Sequence, residues 1–252
     1  MATYKKRGYK PKNVEEEILV DEHESTTAEV FNTLDESASK SEEWVSQNQN
    51  YILGVIGVVA VAVLGYLAYN QFVSKPKEIS AQNELYYPQQ YFNQALESTT
   101  KKDSLFALSL NGAEGKYGFL NIIEEYSGTK AANISNYSAG MAYLNMQKYQ
   151  EAISYLEDFS SDEAILGALA KGGIGDAFVQ LNQPEDALGY YEKAISHNTN
   201  DYTTPKFLYK AGVVALGLNN KDKALGYFER IKEEFSKSEE AKTVDVFIGM
   251  SK

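Results

Sequence analysis

Between Glu43 and Lys75 the chain runs 31 residues (44–74) without a charged side chain, and Tyr51 to Tyr69, YILGVIGVVAVAVLGYLAY, is its apolar centre. As a helix rising about 1.5 Å per residue, this stretch covers about 28 Å, close to the ~30 Å hydrocarbon core of a bilayer. Trp44 and Tyr51 before it, with Tyr66, Tyr69 and Phe72 after it, suit two interfacial belts. The competing reading is a buried core helix, but core helices are rarely apolar on every face for this length. We read a single transmembrane helix over 50–73. It begins about 50 residues in, not directly behind a short basic end, so it reads as an uncleaved anchor and not as a cleavable signal peptide. Gly54, Gly57, Val61, Gly65 and Ala68 follow a three–four spacing that lines one helix face with mostly small residues. Such a face admits another helix closely in lipid, although glycine is also simply common in spans.

What precedes the span divides in two. Residues 1–25 are basic over Lys5 to Lys12 and acidic over Glu15 to Glu24, a composition that cannot offset ordering entropy; a disordered charged tail is expected. Asp21-Glu22-His23-Glu24 reads as solvated charge within that tail, not as a metal site. Residues 26–49 form an amphipathic juxtamembrane helix. Thr26 and Glu29 have capping-box spacing, and Val30, Phe31, Leu34, Ala38, Ser41 and Val45 make a narrow stripe. Its acidic opposite face disfavours anionic lipid and favours docking on a partner. Orientation rests on weak charge signals: Lys40 lies before the span, Lys75 and Lys77 after it, and Lys5, Lys6, Arg7, Lys10 and Lys12 in the tail. Long domains translocate largely regardless of charge, so we place the tail inside and the large domain outside.

The large domain repeats itself. Gly140, Gly175 and Gly212 lie 35 and then 37 residues apart, and each is followed 12 residues later by an alanine: Ala152, Ala187 and Ala224. A second marker runs in phase. Tyr126-Ser127-Gly128-Thr129 echoes Phe235-Ser236-Lys237-Ser238 after 109 residues, with Phe159-Ser160-Ser161-Asp162 between them, each an aromatic helix end followed by a capping residue. The glycine lets paired helices approach, at a propensity cost of about 1 kcal/mol relative to alanine. This pattern resembles the tetratricopeptide repeat, although the consensus Trp is replaced by Asn136, Lys171 and Leu208 and the terminal Pro is missing. The expected organisation is all-α: a single transmembrane helix followed by a tetratricopeptide-repeat α-solenoid. Its parts are a linker over 74–79, a degenerate helical repeat over 80–132, three repeats over 133–237 and a capping helix over 238–252. Within the degenerate repeat we expect helix from Ser80 to Leu110, bent or restarted near Pro88 and stopped at Asn111-Gly112, then a return helix from Gly118 to Tyr126.

Chemistry is sparse. The absence of cysteine removes thiolate metal sites, disulfides and a Cys nucleophile, and two histidines, His23 and His197, leave little material for His-based catalysis. With 24 basic against 35 acidic residues, binding to nucleic acid phosphates is disfavoured. Lys171-Gly172-Gly173-Ile174-Gly175 looks like a phosphate cradle but lacks the following Lys-Ser/Thr and a preceding strand, so it reads as close helix packing. His197 reads as a helix carboxy-terminal residue. We expect no active site, no cofactor and no metal.

Resemblance to tetratricopeptide domains implies a groove lined by the first helix of each repeat. The matching positions are Tyr137, Met141 and Leu144, then Asp176 and Val179, then Lys206, Tyr209, Lys210 and Val213. Lys206 and Lys210 coincide with the basic pair that chaperone-binding relatives use on carboxylate tails, but Tyr137, Met141 and Gly173 replace the other clamp positions. A mixed apolar groove is the better description, and some of these residues pack between helices instead.

Tail, span and array together resemble the YfgM-like family of bacterial bitopic proteins over residues 25–252, carried best by the approach Glu43-Trp44-Val45 to Asn50-Tyr51 and by Gly118 to Tyr126. That resemblance implies an ancillary subunit of the Sec translocon in the bacterial inner membrane, with the amino terminus cytoplasmic and the array periplasmic. Its partners would be the channel subunits, a membrane-anchored peptidyl-prolyl isomerase chaperone and exported client polypeptides. Two other readings stay open: a scaffold of another envelope machine (outer-membrane protein assembly, secretion or cell division), and an enzyme regulator acting through the tail.

Overall fold

The computed structural model describes residues 26–252, without the side chains of 26–32, 35 and 36. The charged tail, the Asp21–Glu24 run, the Thr26–Glu29 cap and the Val30 and Phe31 stripe positions therefore lie outside the described residues. Two compact units are present, one ending at Gly65 and one running from Tyr66 to Lys252.

In the first unit, α1 (Thr26–Gln47) and α2 (Gln49–Tyr69) are separated only by Asn48. The backbone N–H and the side-chain amide of Asn48 both donate to the Trp44 carbonyl (3.0 and 2.8 Å). Helix α2 buries no residue: Tyr51 is 81% exposed and Val61 71%. It is long and apolar enough to cross a membrane, and none of its apolar window is covered by the protein.

The second unit is built from helices. A π-turn (Asn70–Ser74) follows α2 and leads into α3 (Lys75–Glu84). The expected linker over 74–79 is therefore helical. Pro76 occupies the first turn of α3, where a missing N–H costs nothing. The wider π-turn upstream, closed by Lys75 N–H donating to Asn70 O, eases the clash of a proline ring with the carbonyl four residues back. Pro88 sits buried in the first turn of α4 (Tyr86–Glu97), with the restart at Leu85. The continuous helix expected up to Leu110 is broken again: Ser98 turns extended and its hydroxyl accepts the Lys101 N–H (3.0 Å) before α5 (Lys102–Asn111) begins. Gly112, at φ 77°, ends α5, and α6 (Phe119–Glu125) follows.

Three helical hairpins come next: α7 (Lys130–Asn145) with α8 (Tyr149–Asp158), α9 (Ala164–Gln180) with α10 (Pro184–His197), and α11 (Thr203–Gly217) with α12 (Lys221–Glu234). Thr129 caps α7, its hydroxyl accepting Ala132 N–H at 3.1 Å. From α3, Glu78 accepts the Lys130 N–H and Lys77 donates to Ser127 O, tying that helix to the same end of α7. Within each hairpin the glycine meets the residue 16 positions later. A Cβ on Gly140, Gly175 or Gly212 would lie 2.5, 2.6 or 2.5 Å from Leu156, Tyr191 or Phe228. The paired alanines Ala152, Ala187 and Ala224 are fully buried. The expected single capping helix is split into a 3₁₀ turn (Glu240–Lys242), prepared by Ser238 Oγ accepting Ala241 N–H, and α13 (Val244–Met250).

Candidate partner-binding groove

Helix α9 is the centre of the candidate site. Asp176 projects from it and receives three hydrogen bonds: two from the Lys210 ammonium on α11 (2.6 and 2.7 Å) and one from the Tyr191 hydroxyl on α10 (2.7 Å). Burial, then the nearby Asp176 charge, push the Tyr191 hydroxyl well above its ordinary range, so it stays a donor. A hollow of about 490 Å³ lies over this network, and Leu144, Asp176, Val179 and Lys210 line it among the expected groove residues. Asn145, Gln147, Tyr149, Gln180 and Tyr191 complete it. Asn145 and Gln180 continue the four-residue spacing of Met141 and Asp176, which is the sequence signal that reaches them.

The other expected groove residues lie elsewhere. Tyr137 is half-buried, its ring 5.2 Å from that of Phe159, and burial raises its hydroxyl pKa. Met141 packs into the same cluster with Ile153 and Leu156. Tyr209 stacks edge-on against Phe247 and Phe228 (5.1 and 6.2 Å). Lys206 reaches along α11 to 5.9 Å from the Phe207 ring, and Val213 is 41% exposed outside the hollow. The basic pair suggested by the chaperone clamp is thus divided: Lys210 is held by Asp176 and Lys206 stands apart from the hollow. A groove with neutral amides, tyrosine hydroxyls and apolar side chains suits a polypeptide segment better than a bare carboxylate.

The small-residue face of α2, Gly54, Gly57, Val61, Gly65 and Ala68, is exposed along its length. A Cβ at any of its three glycines would meet nothing within 4 Å. Among the described residues no group of three or more His, Asp or Glu side chains is placed to hold a metal ion. The Lys171–Gly175 segment lies inside α9, with Gly172 to Gly175 buried against neighbouring helices. His197 is the last residue of α10.

Two overlapping segments, residues 137–195 and 173–239, match the family model of the tetratricopeptide repeat. The chain contains tetratricopeptide repeats. Comparison with curated proteins and with solved structures gives no match. The architecture is an all-α tetratricopeptide solenoid, and repeats of this kind are typically non-enzymatic modules for protein–protein interaction.

Proposed function

We propose that this protein is a non-enzymatic adaptor held in the bacterial inner membrane by α2, with its repeat array on the periplasmic side and its amino terminus in the cytoplasm. The observation that carries the reading is the pairing, in one chain, of a fully uncovered apolar helix with an interaction array whose groove is neutral and tyrosine-rich. Confining such a groove to a membrane raises the effective concentration of membrane partners without high intrinsic affinity. The YfgM-like resemblance names the site of action: beside the Sec translocon channel, with a membrane-anchored peptidyl-prolyl isomerase chaperone and newly exported chains. The small-residue face over Gly54, Gly57, Val61, Gly65 and Ala68 is the proposed contact with a partner helix, and the hollow at Leu144, Asp176, Val179 and Lys210 the proposed contact with polypeptide.

The test is affinity purification of the full-length protein from native membranes in mild detergent, with quantitative mass spectrometry. Stoichiometric recovery of the channel subunits with an isomerase chaperone supports the reading. Recovery of a different envelope complex without channel subunits sinks the translocon assignment in favour of another scaffold.

A further inference from the structure

On the face of α9 turned away from Asp176, a hollow of about 540 Å³ opens between α8, the loop before α9, and α10. Its apolar lining comes from Leu156, Phe159, Ala170 and Ile174, and its cations are Lys171 and Lys193. Neither ammonium has a carboxylate within ion-pairing distance among the described residues.

The next repeat shows what is missing. The two junctions share a tyrosine-to-glutamate bond, Tyr190 to Glu157 in one and Tyr227 to Glu192 in the other. Thirty-seven residues beyond Lys171, Lys193 and His197 stand Leu208, Arg230 and Glu234. There Leu208 is fully buried and Arg230 is paired with Glu234 at 3.1 Å. At the α8–α9–α10 junction a lysine replaces the leucine and a histidine replaces the glutamate, so two positive charges face one hollow without an internal counter-ion. The geometry also holds Lys171 in place. His197 Nε2 donates to the Glu163 carbonyl (3.1 Å), which leaves Nδ1 to accept from the Lys171 ammonium (3.2 Å). A second Lys171 N–H reaches Gly167 O at 3.4 Å, and the third has no partner among the described residues. Burial lowers the Lys171 pKa, as expected for a cation short of a counter-ion. Lys193 lies 3.9 Å from the Tyr190 ring centroid, and exposed Asp162 stands at the rim.

We propose that this hollow is a second binding site, separate from the groove, that takes the terminal carboxylate of a partner polypeptide ending in an apolar residue. The carboxylate lies between Lys171 and Lys193, and the apolar side chain against Phe159 and Ile174. Asp162 is its competitor, and Glu157 is occupied by the Tyr190 hydroxyl.

The experiment is calorimetric titration of the full-length protein in detergent micelles with N-acetyl-leucine, N-acetyl-leucinamide and inorganic phosphate. The acid should bind about ten-fold more tightly than the amide and than phosphate, since a charge-assisted contact and the apolar stem are each lost in one control. Lys171→Met and Lys193→Met, which keep the aliphatic stems, should each weaken the acid about ten-fold, and Asp162→Asn should tighten it. Lys193 is exposed, so its replacement leaves the fold intact even if Lys171→Met lowers the melting temperature. Equal affinity for acid and amide, phosphate binding as tight as the acid, or indifference to Lys193→Met would each overturn the assignment.

Discussion

Helices α2 and α9 have similar composition and opposite surroundings. Both are rich in glycine and small aliphatic residues, and neither has a polar stripe of the usual kind. Helix α9 buries eight residues and α2 buries none. The glycines make the contrast quantitative. A Cβ at Gly54, Gly57 or Gly65 of α2 meets nothing within 4 Å, whereas at Gly167, Gly172, Gly173 and Gly175 of α9 it comes within 2.1, 1.9, 3.1 and 2.6 Å of a neighbouring side chain. The same residue type is a filled contact in one helix and an open face in the other. Glycine in a helix costs about 1 kcal/mol relative to alanine wherever it stands. In α9 close packing offsets that cost within the chain; in α2 any offset has to come from outside it.

The largest expected effect breaks the comparison on the α9 side. Gly172→Ala drives a methyl into the ring of Phe207, which is 1% exposed in the hydrophobic cluster shared by α9, α10, α11 and α12. Overpacking of this kind costs about 3 kcal/mol, or roughly 6–12 °C in melting temperature for an array of this size. Gly57→Ala should leave the melt unchanged. Matching melts for the two variants, followed by circular dichroism, would show that α9 is not close-packed at Gly172.

On the α2 side the informative change is a charge. Val61→Lys places an ammonium near the middle of the apolar helix, which opposes bilayer insertion by about 2.5–3 kcal/mol. The array's melting temperature should not move, while the membrane-bound fraction after carbonate extraction should fall. Retention equal to wild type would remove the case for α2 as an anchor.

These two helices also show why part of the molecule was legible in the sequence and part was not. Periodicity exposed the repeat because Gly140, Gly175 and Gly212 and their alanines recur along a single chain, and length with apolarity exposed α2. The glycine's packing partner, 16 residues on, was harder to see because it is Leu156 once, Tyr191 once and Phe228 once; only backbone geometry makes the three equivalent. The 74–79 linker was read from Pro76, whose effect depends on whether it falls in a first turn or mid-helix, a matter of register. The break at Ser98–Lys101 has neither glycine nor proline, only a serine that back-bonds the chain. In the candidate groove, α9 and α11 contribute Asp176 and Lys210 from positions 34 residues apart. Helix position suggested a free lysine, whereas the fold places a carboxylate against it.

That carboxylate sharpens the comparison next, because α2 has no counterpart to it. Asp176→Asn weakens the ties to Lys210 and Tyr191 and should cost about 1–2 kcal/mol. Alkaline pH strains the same helix pairings. The Glu157 hydrogen bond, followed by burial, pushes the Tyr190 hydroxyl up to about 12 from 10.0, and Tyr191 and Tyr227 are raised as well. A hydroxyl whose pKa is higher folded than unfolded contributes stability fully present below pH 10 and lost as pH rises towards its folded value. The melting temperature should therefore fall between pH 10 and about 12, and less steeply in a Tyr190→Phe, Tyr191→Phe, Tyr227→Phe triple variant. Equal slopes for the two proteins would show that these hydroxyls carry no such linkage.

The smallest effect concerns how the helices end. Helix α2 runs on into the π-turn and α3, while α9 stops at Leu181 with Asn182 at φ 58°. The other two hairpins turn in the same way, at Gln147 (φ 61°) and Asn219 (φ 58°). In all three the N–H of the next residue, Lys148, Gln183 or Asn220, closes back onto Tyr143, Phe178 or Ala215 O, five residues earlier. Asparagine tolerates this left-handed backbone and glutamine less so. Gln147 is thus the one strained member of an otherwise matched set, and its amide lines the candidate groove. Gln147→Gly should relieve the strain and raise stability by less than about 1 kcal/mol, since glycine also gains freedom in the unfolded chain. Asn182→Gly should gain nothing. A melt in which Gln147→Gly is destabilised while Asn182→Gly is not would mean that the glutamine side chain holds the first hairpin together, and the three turns would then not be equivalent.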